Sequence, residues 1–231
     1  MFGWYIDPVY FWYVFIPTLV ISIGVQLYLK ATHAKWSQVK NHNNMAGVKV
    51  GKALFERTSL NAIPLEHVSG TLSDHFDPKA NVVRLSDSVY ANQSVAAMAV
   101  TAHELGHVQQ YQTGSGLIKA RGFLLPALQF SPMISYVAIM FGLFWNMTNL
   151  LWIGIGFFAL MVVFSILTLP VELNASKRGI KLLQEAGLLK DPQDEKGARQ
   201  MLNAAALTYL AAAVTSILQL LYYISIAKRR S

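Results

Sequence analysis

The longest uncharged stretch of the chain runs from residue 122 to residue 171, where no Asp, Glu, Lys, Arg or His occurs. About twenty apolar residues suffice to cross the hydrocarbon of a bilayer, so one helix cannot use the whole stretch. Residues 146–149, Asn-Met-Thr-Asn, lie near its middle and predict a turn. The stretch therefore predicts a hairpin of two membrane helices, at 122–146 and at 150–170.

Three prolines limit these two helices. A proline in a helix interior lacks the N–H that would bond to the fourth residue back, and its ring strains the preceding turn. We expect the first membrane helix to be kinked at Pro126 or Pro132, and we expect Pro170 to end the second. Residues 8–29 and 202–227 are also free of charge, and they predict a first and a fourth membrane helix.

The composition agrees with a membrane protein built as a single unit over residues 1–231. Of these residues 54% are hydrophobic and only 13% are charged, which is too apolar for an average soluble domain. The basic residues behind the net charge of +7 flank the apolar runs, so membrane orientation explains them better than nucleic-acid binding does. The chain has no cysteine, which excludes disulfides and thiolate metal sites. The sequence thus predicts a mainly α, polytopic membrane helical bundle of about four spans.

The polar segment 30–116 separates the first two predicted spans. It is too long for a loop and rather short for an independent domain, so we expect a small α+β part that packs against the membrane helices. Its predicted elements are a helix at 47–58, short strands at 63–68 and 81–85, a turn at 69–78 between them, and a helix capped by Ser94 and ended by Gly114 and Gly116.

Within this segment His103 and His107 stand four residues apart, with Glu104 beside the first. Positions i and i+4 stack on one face of a helix, so two imidazoles can hold one metal ion. Glu104 lies about 100° round the helix from His103, where it can reach a metal-bound water without being a ligand. This is the HExxH arrangement of zinc peptidases.

An ordinary amphipathic helix could carry the same residues by chance. A chance match to HExxH is expected in on the order of one in a hundred chains of this length. The neighbouring residues argue for the metal site. They are small or apolar and uncharged, as expected of a helix buried beneath a cleft: Ala99, Ala102, Leu105, Gly106 and Val108.

A catalytic zinc needs a third protein ligand and an open position for water. No histidine follows His107, which excludes the metzincin class. An intramembrane site-2 protease is disfavoured, because the HExxH helix ends in polar glutamines and the chain has no Asp-Gly pair. The candidate ligands are the five downstream acids, Glu172, Glu185, Asp191, Asp194 and Glu195.

Glu172 is the favoured third ligand, because two membrane crossings return it to the side of the HExxH helix. The alternative is that Glu172 is only a helix N-terminal acid stabilised by the helix dipole. Ser176 follows one turn later and is placed to hydrogen-bond a ligand histidine. Segment 171–199, which carries both residues, is charged again and should be helical in two pieces around Gly187 and Pro192.

Five runs carry a resemblance to a known family: Ser-Asp-His-Phe-Asp-Pro at 73–78, Val-Arg-Leu-Ser at 83–86, Ala-His-Glu-Leu-Gly-His at 102–107, Leu-Pro-Val-Glu-Leu-Asn-Ala-Ser at 169–176, and residues 197–210. Their combination resembles the YugP-type bacterial membrane zinc metallopeptidases. Two membrane helices between HExxH and the ligand glutamate are also similar to the HtpX and CAAX prenyl protease class. The resemblance implies a zincin-like catalytic part in which His103, His107 and Glu172 bind Zn²⁺ and Glu104 is the base.

The sequence departs from this pattern at Asn174 and Ser176. The family often has an acid two residues after the ligand glutamate, and HtpX-like enzymes have an aspartate four residues after it, so the groups that support the ligands are expected to be built differently here. Two more residues are candidates outside the motif. His75 could bind substrate or stabilise an oxyanion, or be a plain turn residue, and Arg84 could stabilise an oxyanion or face solvent from its strand.

These residues together predict a zinc-dependent endopeptidase. Zinc lowers the pKa of a bound water towards about 7, and Glu104 would take its proton and pass it to the leaving amine. The substrate, a peptide or membrane protein, is expected to add as an extended strand beside residues 81–86. The alternatives are a catalytically silent membrane scaffold and a metal-handling or transport protein, although the predicted spans contain no ionisable residue for transport.

Charges beside the spans predict the sidedness of the chain in a bacterial cell membrane. Positive charges are enriched in cytoplasmic segments, and the predicted turn at 146–149 has none. The active site is therefore expected in the cytoplasm and the N-terminus outside, on an uncleaved anchor. A full crossing by 202–227 would place Lys228, Arg229 and Arg230 outside against this rule, and a re-entrant or oblique last helix is the alternative. The basic residues expected beside the active site are Lys30, Lys35, Lys40, Lys119, Arg121, Lys177, Arg178, Lys181, Lys196 and Arg199.

Overall fold

The computed structural model describes residues 7–230 of the chain. These residues form eight helices and one three-stranded sheet, which confirms the predicted mainly α fold class with its small α+β part. The helices are α1 (Pro8–Ser37, with a π-helical turn at Phe11–Phe15), α2 (Gly47–Arg57), α3 (Asp87–Tyr90), α4 (Val95–Gln112), α5 (Gly116–Leu128), α6 (Ser131–Phe144), α7 (Thr148–Glu185) and α8 (Pro192–Arg230). The strands are β1 (Leu65–Val68), β2 (His75–Asp77) and β3 (Val82–Ser86).

The described residues divide into two compact units. The first unit holds the apolar stretches, at 7–25, 119–170 and 208–230. The second unit holds the polar segment with the HExxH helix, at 26–118 and 171–207. The helices α1, α7 and α8 contribute residues to both units.

The first unit carries the candidate membrane spans. Three helices, α1, α7 and α8, are long and apolar enough to cross a bilayer, and the bent pair α5 and α6 adds a fourth if the pair is one span. The two helices of the pair are inclined by 50°. The break lies between the two prolines that were predicted to cause a kink. Pro126 stays inside α5, whereas Pro132 occupies the first turn of α6, where a missing N–H has no helical partner to lose.

Pro170 does not end the second helix of the predicted hairpin, so that prediction was wrong. Helix α7 continues through Pro170 to Glu185. A proline in an apolar helix removes one backbone hydrogen bond, and the long helical segments on either side keep the turn in place. As a result Glu172 stands two residues beyond the proline on the same continuous helix.

The last predicted span is one continuous helix that runs along the α6–α7 hairpin. The hydroxyls of Ser165 in α7 and Ser216 in α8 are 3.0 Å apart. At the end of α8, Arg230 Nη1 donates to the carbonyl of Leu143 at 2.9 Å, and the Thr148 hydroxyl donates to the carbonyl of Arg230 at 3.3 Å. Leu143 and Thr148 flank the turn between α6 and α7, so the hairpin and α8 end together. A full crossing by α8 stays a prediction from the sequence.

The sheet of the second unit has the strand order β1-β3-β2. Strand β3 is parallel to β1 and antiparallel to β2, so both of its edges are already paired. The prediction that substrate adds beside residues 81–86 was therefore wrong, because β3 has no free edge. The two edge strands are β1 and β2, and β2 lies inside the stretch 69–78 that the sequence predicted only as a turn.

Helix α4 forms the centre of the core in the second unit. Its N-terminus is capped as predicted, because the Ser94 hydroxyl accepts a hydrogen bond from the N–H of Ala97 at 3.1 Å. Met98 and Leu105 are fully enclosed, together with Leu182 from α7 and Met201 from α8. Because α4 is buried on several sides, the positions of the side chains it presents are fixed by the packing of the core.

Candidate metal centre

Three side chains from two helices of the second unit meet at one point. His103 and His107 come from α4, and Glu172 comes from α7. The Nε2 atoms of the histidines lie 3.2 and 3.3 Å from Oε2 of Glu172. One ligand atom from each residue can be chosen so that all lie within 4.8 Å of one another. The structure thus brings together the three residues that the sequence suggests as ligands.

The spacing of these atoms fits a zinc ion. Zinc lies about 2.0–2.2 Å from imidazole nitrogen and carboxylate oxygen, in a tetrahedral arrangement. Two ligand atoms of such a tetrahedron are about 3.3 Å apart, which matches both Nε2–Oε2 distances. Two histidines and one carboxylate are also the ligand count of a catalytic zinc, which keeps its fourth position for water.

Two glycines let α4 and α7 approach until their backbones touch. A Cβ atom built on Gly106 of α4 would overlap the carbonyl oxygen of Ala175 in α7. A Cβ atom on Gly179 of α7 would lie 2.6 Å from the carbonyl oxygen of Ala102 in α4, well inside van der Waals contact. Only glycine leaves room at these positions, and this close packing brings Glu172 within reach of both histidines.

The second ring nitrogen, Nδ1, of each histidine lies within hydrogen-bond distance of another side chain. Nδ1 of His103 lies 3.1 Å from the hydroxyl of Ser176, the residue that the sequence places one turn after Glu172. Nδ1 of His107 lies 3.0 Å from Oε1 of Gln110. Sequence reasoning missed Gln110, which it treated only as part of the polar end of the helix. The available signal was its position three residues after His107, on the same side of the helix.

The charges of the centre reinforce one another. Burial alone would raise the pKa of Glu172, but hydrogen bonds from His103 and His107 outweigh it and hold that pKa well below its ordinary value. Burial alone would lower the pKa of His107, but its hydrogen bond to Glu172 and the nearby charge of Glu104 hold it above the ordinary value. Glu172 is therefore ionised at neutral pH, as a metal ligand must be.

Comparison with known proteins agrees with this geometry. The family model described as "Putative neutral zinc metallopeptidase" matches residues 11–228. The chain belongs to this family. It is 35% identical over 211 residues to the "Putative membrane protease YugP" of Bacillus subtilis (strain 168), which covers 91% of this chain and 93% of the relative. No solved structure is similar to the chain at a significant level.

In this member of the metallopeptidase family, Glu104 is buried beside the two histidines, with 8% of its surface exposed. Its Oε2 atom accepts a hydrogen bond from the backbone N–H of Phe76 in β2 at 2.9 Å. The ring of Phe76 in turn meets that of Tyr111, one turn beyond His107, with centroids 5.7 Å apart. Glu104 is thus held between the histidine pair and the edge strand of the sheet.

Two further residues that the sequence suggested for the site, His75 and Arg84, form hydrogen bonds or ion pairs away from the three ligands. Nδ1 of His75 donates to the carbonyl of Ser73 at 2.8 Å within the loop. Arg84 is paired with Glu66 at 3.1 Å and with Asp77 at 2.9 Å. These contacts do not bring His75 or Arg84 to the three ligands.

Asn174, the other candidate, lies behind the metal centre on α7. Its Oδ1 atom accepts a hydrogen bond from Gln110 at 2.9 Å and another from Arg178 at 2.9 Å. Asn174 therefore contacts the partner of His107 rather than a ligand itself.

Proposed function

We propose that this chain is a membrane-embedded, zinc-dependent endopeptidase. The observation that carries the proposal is the meeting of His103, His107 and Glu172, with both Nε2–Oε2 distances at the edge length of a zinc tetrahedron and with Glu104 beside the histidines. Membership of the zinc metallopeptidase family and the likeness to a relative named as a membrane protease support the same reading.

The ligands and the base have separate parts in this function. His103, His107 and Glu172 would hold the ion. Bound zinc supplies a Lewis acid that polarises a peptide carbonyl and makes a water molecule acidic enough to lose a proton near neutral pH. Glu104 takes that proton on its carboxylate and later gives it to the leaving amine nitrogen. Burial and the Phe76 N–H keep the Glu104 carboxylate in place for both transfers.

The substrate of this proposal is an extended peptide segment that lies along β2. This strand is paired with β3 on one side only, and on its other side the N–H of Phe76 points to Glu104. A peptide added at this edge would be held by backbone hydrogen bonds, which tolerate varied side chains. The scissile carbonyl would then pass close to the base.

The location of the active site follows from the distribution of charge. Sixteen of the 19 Lys and Arg residues lie at 30–121 and 171–199, whereas the turn between α6 and α7 has none and the end of α8 beside it has three. Positive charge marks the cytoplasmic side. The proposed enzyme therefore cleaves peptides or membrane proteins at the cytoplasmic face of a bacterial cell membrane.

The test uses full-length protein purified in detergent and loaded with zinc. Metal content and cleavage of a general fluorogenic peptide are measured for the wild type, for Glu104→Gln and for Glu185→Gln. Glu185 is the matched control, because it is an exposed acid on α7 paired only with Lys181. We expect wild type and Glu185→Gln to bind one zinc and cleave, and Glu104→Gln to keep zinc and lose at least about 100-fold in rate.

Two results would reject the proposal. Equal cleavage by Glu104→Gln and wild type would show that Glu104 is not the base. Zinc bound without cleavage of any peptide by the wild type would favour a silent scaffold or a metal-handling protein.

A further inference from the structure

Gln110 is a buried polar side chain that the proposed chemistry does not use. It is 0% exposed and lies one turn after His107 on α4. A buried amide is costly unless its hydrogen bonds are made. Gln110 makes three: its Nε2 atom donates to the carbonyl of Val171 at 2.8 Å and to Oδ1 of Asn174 at 2.9 Å, and its Oε1 atom faces Nδ1 of His107 at 3.0 Å.

The direction of these hydrogen bonds is fixed from one end. Arg178 can only donate, so the atom of Asn174 that lies 2.9 Å from its Nε must be the oxygen. That oxygen, like the Val171 carbonyl, can only accept, so the NH₂ group of Gln110 must point towards both. The amide oxygen of Gln110 is therefore the atom that faces His107.

The same reasoning fixes the proton on His107. An amide oxygen cannot donate, so Nδ1 of His107 must carry a hydrogen and donate it to Gln110. Nε2 of His107, which faces the carboxylate of Glu172, is then the nitrogen whose proton a bound zinc ion would replace. A free imidazole in water would share its proton between the two nitrogens, and part of it would have to rearrange before binding metal.

We propose that Gln110, oriented by Asn174 and Arg178, is a positioning residue that fixes the Nδ1–H form of His107 and so raises the zinc affinity of the site. The inference rests on the proposed zinc-binding function. Gln110 acts through His107 and touches neither substrate nor metal. The chain of contacts also includes the carbonyl of Val171, next to Glu172, so one side chain aligns ligands from both helices.

The chain offers variants that separate hydrogen bonding from shape. Gln110→Met keeps the length of the side chain and removes its hydrogen bonds. Gln112→Met is the matched control on the same helix, because Gln112 bonds only the backbone of Asn61, at 3.0 and 2.9 Å. Asn174 supplies only an oxygen, so Asn174→Asp keeps both of its contacts and Asn174→Leu removes them.

Two readouts report on these variants. Zinc dissociation constants are measured by competition with a chelator, and NMR of ¹⁵N-labelled histidine in the zinc-loaded protein reports how fast the Nδ1–H proton of His107 exchanges with water. We expect Gln110→Met to weaken zinc binding about 10–100-fold and to speed exchange of the His107 Nδ1–H proton, which would lose its acceptor. Asn174→Leu should move both readouts in the same direction, whereas Gln112→Met and Asn174→Asp should match the wild type.

A failure of the positioning role can be told apart from a failure of the proposed zinc site. Failure of the wild type to bind zinc, or equal binding by wild type and His107→Ala, would reject the zinc site itself. Tight wild-type binding, with unchanged zinc affinity and unchanged exchange of the His107 Nδ1–H proton in Gln110→Met, would reject only the positioning role. If Gln110→Met does not fold, Asn174→Leu carries the test, because Asn174 is only partly buried.

Discussion

The backbone N–H of Phe76 donates a hydrogen bond to Oε2 of Glu104 at 2.9 Å, which joins the edge strand of the sheet to the proposed base. The contact lies on the side of β2 that faces away from β3. A substrate strand that approaches β2 from this side would meet the same N–H. The position of the peptide and the position of the base are therefore set by one backbone group.

Removal of that N–H should affect cleavage without affecting metal binding. We expect Phe76→Pro to lower peptide turnover by at least about tenfold while the zinc content stays at the wild-type level, since proline takes away the donor but no bond to β3. Phe76→Ala, which loses the ring and keeps the N–H, is the control and should retain more activity. Similar turnover in the two variants would mean that the ring of Phe76, and not its backbone, is what matters.

Among the downstream acids, only Glu172 should control metal binding. It is 3% exposed and 3.2 Å from His103, whereas Glu185 is exposed on the same helix. We expect Glu172→Ala to lose zinc about as severely as His107→Ala, and Glu185→Ala to bind like the wild type. Metal analysis after dialysis decides this, and full retention of zinc by Glu172→Ala would contradict the assignment of the third ligand.

The contact of Gly106 with Ala175 predicts a large effect from one methyl group. Gly106→Ala would push α4 from α7, so we expect a loss of about 1–3 kcal/mol in the free energy of unfolding and weaker zinc binding. Gly116→Ala is the matched control, because a Cβ atom there meets nothing within 4 Å. Thermal unfolding of the two variants in detergent checks the prediction, which would be wrong if both unfold at the same temperature.

Zinc affinity should fall as the pH is lowered, starting above the ordinary histidine pKa of about 6.5. The pKa of His107 is raised, so its ring holds two protons at a higher pH than usual, and zinc must displace one of them. The pKa of Glu172 is lowered, so this carboxylate stays ionised and adds no slope. Affinity should drop by up to about tenfold per pH unit for one displaced proton.

Glu104→Gln provides the control for this pH dependence. The charge of Glu104 is one reason why the pKa of His107 is raised, so its removal should move the onset of the fall to lower pH. Titrations with a competing chelator between pH 5.5 and 8 would measure both proteins. An affinity that does not change over this range would contradict the prediction.

Sidedness can be tested with single cysteines, because the chain has none of its own. We expect a membrane-impermeant thiol reagent to label Met147→Cys in intact cells and to leave Gln184→Cys unlabelled. Since α8 ends beside the α6–α7 turn, Lys228→Cys should be labelled together with Met147→Cys. Labelling of Gln184→Cys alone would place the metal centre outside the cell.

Much of this architecture could be predicted from the sequence, for physical reasons that differ between elements. The uncharged stretch 122–171 and the spacing of His103 and His107 are local signals, and local signals predict the membrane helices and the metal-binding face. The predicted helix end at Pro170 was wrong, because the sequence alone does not say whether the surroundings of a proline will keep its helix intact. Strand β2 was missed, because three residues next to turn residues carry no periodic pattern.

The supporting contacts of the metal centre were harder to predict than its ligands. Gln110 and Asn174 are 64 residues apart in the chain and meet only because Gly106 lets α4 and α7 touch. The change from an acid to Asn174 was read as a departure from the family pattern. The structure shows that this position supplies an acceptor oxygen, which either side chain can offer.

The backbone contact between Gly106 and Ala175 also bears on how this protein would withstand a shortage of metal. A zinc finger collects its ligands from a disordered chain and unfolds when the ion leaves. Here the spacing of His103 and Glu172 is held by two helices of an apolar core whose main chains are already in contact. If the chain is the proposed zinc peptidase, its fold would persist when the ion is lost, and zinc returned to the cell would restore its activity without new protein synthesis.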